Sequence, residues 1–274
     1  MPLGIAFTIQ LLLAAAAILV ARPLARRSRP LATAVCIAAL MLLLVWPLVR
    51  FFPTLPIRTL GAPLVACIEL TGLFIPAVLL LAVAARLVPK PTDRRAIFCL
   101  IPMAAIYFVK AGWWMVAPEL HDLGPTKIEG GICRQSTGYT CVAASMVTML
   151  RARGIDATET EMARLARVEV NGGATDSRAL WALEKKLAGT ALAPAYHSFD
   201  LAGLIAAPKP LLVQVDWGFF VSHMVPVMQA TEQAVTIGDP ISGTQTLPAA
   251  EFLAKWKGNA ITLAERSTRS VDQP

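Results

Sequence analysis

Gln135-Ser136-Thr137-Gly138-Tyr139-Thr140-Cys141, followed at once by the helix-like run Val142 to Arg153, is the stretch on which the reading of this chain turns. It sets a thiol at the start of a helix with a glutamine six residues earlier. Far downstream come Ser222-His223-Met224-Val225 and Gly238-Asp239-Pro240. Nucleophilic acyl transfer needs a nucleophile, a base to take its proton and a group that orients the base. Cys141, His223 and Asp239 supply the three roles in that order. Gln135 supplies an amide donor for an oxyanion, a role worth ~3–4 kcal/mol of barrier where it has been removed from acyl-transfer enzymes. A helix N-terminus favours the thiolate, which is the reactive form.

Outward from this stretch the chain divides by composition. Of its 274 residues, 56% are hydrophobic and 16% charged, too apolar for an ordinary soluble domain. Residues 1–117 carry 11 Lys+Arg and 2 acids; residues 118–274 carry 14 Lys+Arg and 16 acids. The net charge of +7 therefore resides in short basic loops between apolar runs. It does not mark a nucleic-acid-binding face. No phosphate-binding glycine loop of the Gly-x-x-x-x-Gly-Lys-Ser/Thr type occurs, so no ATP site is expected. The five cysteines include no Cys-x-x-Cys pair, and neither a metal site nor any cofactor is expected. Cys133 and Cys141 stand eight residues apart; no bond is expected between them, because a bonded Cys141 could not act.

Four apolar runs, about 3–21, 31–49, 62–85 and 96–116, each meet the ~20 residues that a membrane span needs. The expectation is an all-α, four-helix transmembrane domain over 1–117. The first run has its positive cluster after it, at Arg22, Arg26, Arg27 and Arg29, which argues for a retained helix rather than a cleaved signal. Arg86, Lys90, Arg94 and Arg95 lie between runs three and four. Loops one and three thus hold eight basic residues against two, Arg50 and Arg58, in the middle loop. The positive-inside bias puts the eight in the cytoplasm and the C-terminal half outside. The expected location is a bacterial inner membrane, multi-pass, with the later domain extracytoplasmic. Glu69 and Lys110, 21 residues before and 20 after Lys90, would reach one depth on continuous antiparallel helices, and an ion pair is expected between them.

A connector over 118–130 leaves this half. Helices are expected over 141–154, from a Thr158-x-x-Glu161 capping box to about 167, and over 175–187, with a short one near 200–206. After Pro208-Lys209-Pro210, strands are expected over 211–215, 224–229, 234–237 and 260–263, with a helix at 247–256. Helices first and an antiparallel sheet afterwards is an α+β arrangement over 131–264. Residues 265–274 are expected to be a disordered tail. His121 and His197 are weaker bases than His223, one at the membrane exit and one before a loop.

Residues 130–264 resemble the peptidase C39 family, the papain-like domain fused to many bacteriocin exporters. The resemblance rests on Gln135, on Cys141-Val142-Ala143-Ala144-Ser145-Met146, on Gly173-Ala174-Thr175-Asp176-Ser177, on His223-Met224-Val225-Pro226-Val227 and on Gly238-Asp239-Pro240 with Gly243. It implies a papain-like fold with Cys141 as nucleophile, His223 as base, Asp239 as third member and Gln135 in the oxyanion hole. It also implies a peptide or protein substrate. Three departures stand out. Val142 replaces the glycine that often follows the nucleophile and narrows the wall beside the thiol. The exporter's ATPase is missing. The expected outward topology does not suit a cytoplasmic leader-trimming role. The reading is a membrane-anchored cysteine peptidase acting through a thioester. Its alternatives are a non-catalytic peptide-binding module and an acyltransferase using the same triad. The sequence names no partner membrane protein.

Overall fold

Between Leu3 and Ala21 the chain is apolar but for Thr8 and Gln10, a pattern that forms a helix with no continuous polar face. The computed structural model describes residues 3–266, apart from 52, 53, 70, 118–120, 171, 219 and 220, and the chain forms two units, Met1–Pro118 and Glu119–Pro274.

The first unit is helical: α1 (Leu3–Arg27), α2 (Arg29–Phe51), α3 (Thr54–Leu60), α4 (Ala62–Ile68), α5 (Phe74–Leu87) and α6 (Pro91–Gly112), with a 3-10 turn over Trp113–Met115. Ala6, Ala14 and Ala21 form the buried stripe of α1. Small residues there let neighbouring helices approach closely. Phe108 of α6 stacks on Phe7 of α1 and on Phe74 of α5, with ring centroids 4.9 and 4.2 Å apart. Gly112 leaves room for the Phe7 ring.

Two stretches, Leu3–Ala21 and Pro91–Met115, are long and apolar enough to cross a membrane. Of the four expected continuous spans, the third does not form as one helix. The third apolar run breaks into α4 and α5 at residues 69–73. There the Thr71 hydroxyl takes the Cys67 carbonyl at 2.6 Å, and Gln10 Nε2 reaches the same carbonyl at 3.3 Å. A side-chain donor that captures a carbonyl of the preceding turn competes with helix continuation. With 14 residues, α5 is about 21 Å long at 1.5 Å per residue, short of a ~30 Å hydrocarbon core. The same break undoes the expected Glu69–Lys110 pair. Equal depth presumed unbroken helices, whereas Glu69 falls in the turn and Lys110 is exposed on α6.

The second unit opens with a hairpin of β1 (Lys127–Glu129) and β2 (Ile132–Arg134). Its turn, Gly130-Gly131, holds two left-handed residues (φ 57° and 81°), the conformation that tight hairpins demand. Thus β1 occupies part of the expected connector. There follow α7 (Cys141–Arg151), α8 (Glu159–Leu165), α9 (Asp176–Lys186), β3 (Leu192–Ser198), α10 (Leu201–Ala206), β4 (Leu211–Gly218), β5 (Val221–Ala230), β6 (Ala234–Asp239), β7 (Gly243–Pro248), α11 (Ala249–Lys255) and β8 (Trp256–Glu265). Six strands form one antiparallel sheet in the order β3-β8-β4-β5-β6-β7. Helices followed by an antiparallel sheet is the α+β arrangement expected. The strands not foreseen are β1, β2, β3 and β7.

Packing follows from the alternation of apolar residues. Val213, Val215, Val225, Val227, Val235 and Ile237 join Leu204, Phe252 and Trp256 in one core. Helix α7 is buried from Val142 to Leu150 and ends as Gly154 takes φ 73°. Thr158 caps α8 by accepting from the Glu161 N–H at 3.1 Å. The reciprocal half of the expected capping box is replaced by a 2.6 Å ion pair from Glu161 to Lys186 on α9. Glu265 belongs to β8, and the Arg266 N–H bonds the Ala191 carbonyl at 2.7 Å. The remaining residues of the expected tail, 267–274, lie outside the described residues.

Candidate active site

The loop from β2 to α7 carries Gln135 to Cys141 and is held at several points. Ser136 donates its N–H to Glu159 Oε1 at 2.8 Å, and its hydroxyl donates to Oε2 of the same buried carboxylate. The Thr137 N–H bonds Thr140 Oγ1 at 3.2 Å. Thr140 is the residue before α7, and Cys141 is the first residue of the helix.

His223 lies on β5 and Asp239 ends the neighbouring strand β6. His223 Nε2 stands 2.9 Å from Asp239 Oδ1. The pair is withdrawn from water, with His223 4% and Asp239 0% exposed. Asp239 Oδ1 also accepts the Ile241 N–H at 2.8 Å, and Oδ2 accepts the Ser242 hydroxyl at 2.6 Å. Burial works against the charged carboxylate. The donors from His223, Ser242 and Ile241 outweigh it and hold Asp239 at about 2. An ionised Asp239 can only accept, so Nε2 carries the proton and Nδ1 is left for the thiol.

Cys141 and His223 are joined by a side-chain hydrogen bond. Burial raises the thiol. The His223 bond and charge and the backbone N–H groups of Met224 and Val142 outweigh it, so that Cys141 lies below an ordinary thiol. Burial likewise opposes charge on His223, but Asp239 and Cys141 raise it to about 9. Together these shifts favour thiolate and imidazolium over thiol and imidazole. Cys141 and Cys133 are both free thiols. Burial, followed by the Glu159 charge, pushes Cys133 up to about 12 and leaves it inert.

A cleft of about 410 Å³ opens onto the thiol, lined by Tyr139, Cys141, Val142, Gly172, Gly173, Gln214, Ser222 and Met224 among others. Gly173 adopts φ 67° and its α-carbon faces the Tyr139 carbonyl. Val142, next to the thiol, is buried in this wall.

Cys141, His223 and Asp239 are thus brought together. Gln135 is arranged otherwise than expected. Its Nε2 donates to the Thr137 carbonyl at 2.7 Å, its Oε1 is buried without a hydrogen-bond partner, and it does not line the cleft. His197 lies within β3, 3.0 Å from Thr262 Oγ1 and stacked on Phe199. Glu159, Gln214 and Ser222 were not singled out in the sequence. Their only signal is a carboxylate in the first turn of a helix and polar residues in apolar strands. No group of three His, Cys, Asp or Glu suited to a metal converges among the described residues.

The peptidase C39 family model matches residues 130–268, half of the chain. The chain belongs to the peptidase C39 family. An uncharacterized protein of Methanothermobacter thermautotrophicus is 29% identical over 132 residues, covering 48% of this chain and 87% of that protein. An uncharacterized protein of Methanothermobacter marburgensis is 25% identical over 145 residues, covering 53% and 96%. Among solved structures, the peptidase domain of Streptococcus ComA, a bi-functional ABC transporter involved in a quorum sensing pathway, is similar at 22% identity and a TM-score of 0.44. The match covers 48% of this chain and 96% of that one. A double glycine motif protease from an AMS/PCAT transporter, solved in complex with the leader peptide, is similar at 17% identity and a TM-score of 0.44, covering 52% and 95%. In this C39 domain the Cys141-to-Asp239 arrangement occupies the matched segment, whereas α1 to α6 lie outside it.

Proposed function

We propose that this protein is a membrane-anchored cysteine peptidase that cleaves an extracytoplasmic peptide or protein. The observation that carries the reading is the linked set Cys141–His223–Asp239, with the thiol lowered at the start of α7 and the imidazole oriented by a buried carboxylate. The Cys141 thiolate attacks the scissile carbonyl. The negative oxygen is met by the Cys141 backbone N–H. The His223 imidazolium gives its Nδ1 proton to the leaving amine as the C–N bond breaks, which leaves a thioester. His223 then takes a proton from water, the hydroxide attacks the thioester, and the thiolate leaves as the acid is released. The same set would serve acyl transfer if an amine or thiol replaced water.

Anchoring is supported by the two span-length stretches and by the orientation of their residues. Large apolar side chains such as Leu12 and Leu19 are 65% and 75% exposed, while alanines face inward. With Ala6, Ala14 and Ala21 inward and the large apolar side chains outward, this face is the inverse of a water-soluble bundle and suits lipid. Eight basic residues around the α1–α2 and α5–α6 junctions support a cytoplasmic side for those junctions. The C-terminal unit then lies outside. The decisive experiment compares peptides in the outer compartment of cells carrying wild type and Cys141→Ala. Substrates that persist uncut only with Cys141→Ala are expected; identical peptide populations would leave a binding role.

A further inference from the structure

Three successive carbonyls of the turn that carries Asp239 are all held by β2 and the residue after it. Arg134 Nη1 donates to the Asp239 carbonyl at 3.4 Å and Nη2 donates to the Ile241 carbonyl. Between them, the Gln135 N–H donates to the Pro240 carbonyl at 3.1 Å. The planar guanidinium is shaped for such a two-pronged grip, and its charge strengthens both bonds. Gly243, which closes the turn at φ 91°, faces the guanidinium; a side chain there would stand 3.0 Å from Nη1. Glu129 braces the fork from outside through Nε at 3.4 Å and is itself 70% exposed.

From this we infer that Arg134 is a positioning residue for the candidate active site: by clamping the Asp239–Ile241 turn it sets the carboxylate that orients His223 toward Cys141. The chain runs on from β2 through the loop at Gln135 and Ser136 to the thiol, so one segment sets the spacing between nucleophile and orienting acid. The titratable groups facing His223 are Cys141 from α7 and Asp239 from β6. Arg134 meets the turn at its backbone and acts through Asp239. The inference rests on the Cys–His–Asp reading above, and its test does not need the substrate.

The test is the rate of Cys141 alkylation by iodoacetamide between pH 5 and 10, read by mass spectrometry on the full-length protein in detergent. Wild type is expected to react faster at pH 6.5 than an ordinary thiol, and His223→Ala to lose that excess. Arg134→Ala is expected to lose about tenfold of the pH 6.5 rate, the thiolate lost for one unit of pKa, with the profile moving toward that of a free thiol. Arg134→Lys, which keeps the charge but not the fork, is expected to lose roughly threefold, half a unit on the same scale. Glu129→Gln should match wild type. Buried Cys133 reports unfolding in the same digest; if Arg134→Ala exposes it, Arg134→Lys is read in its place. A wild-type profile in the folded arginine variant overturns the inference, as does an equal loss in Glu129→Gln. Should His223→Ala itself label like wild type, the active-site reading fails, which is a separate result.

Discussion

Ser145 Oγ donates a 2.7 Å hydrogen bond to the carbonyl of Met224. Ser145 lies one helical turn beyond Cys141 on α7, and Met224 follows His223 on β5. This bond helps to hold the helix that carries Cys141 against the strand that carries His223. Both residues are buried. Ser145→Ala leaves the carbonyl with one partner fewer and should cost about 1–2 kcal/mol of stability. It should also slow Cys141 alkylation at pH 6.5. Denaturant melts of the purified protein check the first effect; unchanged stability and labelling would show that α7 and β5 are aligned without the bond.

Stability should depend on pH through His223 in a defined direction. Its folded value, about 9, lies above the ordinary 6.5. Its contribution is therefore full below pH 6.5 and is lost as pH rises through about 9. The melting-temperature gap between wild type and His223→Ala should be widest near pH 6 and close by about pH 9.5. Asp239 works in the opposite sense. Held at about 2 against an ordinary 3.8, it stabilises above pH 3.8 and stops doing so as pH falls through about 2. A gap that widens on the alkaline side would contradict the assigned Cys–His–Asp bonding.

Glu159 holds both the N–H and the hydroxyl of Ser136. Glu159→Ala removes the acceptor of two part-buried hydrogen bonds from the exposed Ser136 and should destabilise the C39 domain by about 1–3 kcal/mol, at ~0.5–1.5 kcal/mol for each net bond. Glu159→Gln keeps one acceptor and should cost less than half of that. Equal melts for the two variants would mean that the carboxylate's bonds to Ser136 do not matter.

Orientation in the membrane is open to a direct test. A reporter active only outside the cytoplasm should work when fused beyond Arg266 and fail when fused at Arg27 or Lys90. The reverse pattern would put the C39 domain in the cytoplasm and restore leader processing as a reading.

Cys141, His223 and Asp239 were legible in the sequence because each sits at an element boundary with its own local signal. The thiol opens an amphipathic run, the histidine heads an apolar strand, and the aspartate precedes a proline. Thr158 was legible as a cap for the same reason. The strands of the main sheet that escaped are its two edges, β3 and β7. An edge strand is half solvated, tolerates Pro194 and Pro248, and does not carry the apolar alternation by which β4, β5 and β6 announce themselves. The break between α4 and α5 escaped because residues 62–85 are apolar on either side of it, and a side-chain hydroxyl and a distant glutamine decide where the helix stops.

What the sequence determined by itself is therefore local: which residues can be nucleophile, base and orienting acid, and which runs are apolar. Tertiary structure alone decided how they are held. Arg134 reaches a carbonyl 107 residues away, Ser145 one that is 79 away, and Ser136 a carboxylate 23 away. Periodicity and capping report interactions within a turn or two of helix, or along one strand. A bond between residues that meet only after the sheet has closed leaves no trace in either sequence neighbourhood. The same holds for Gln135, whose amide turns to Thr137, a choice made by the folded loop.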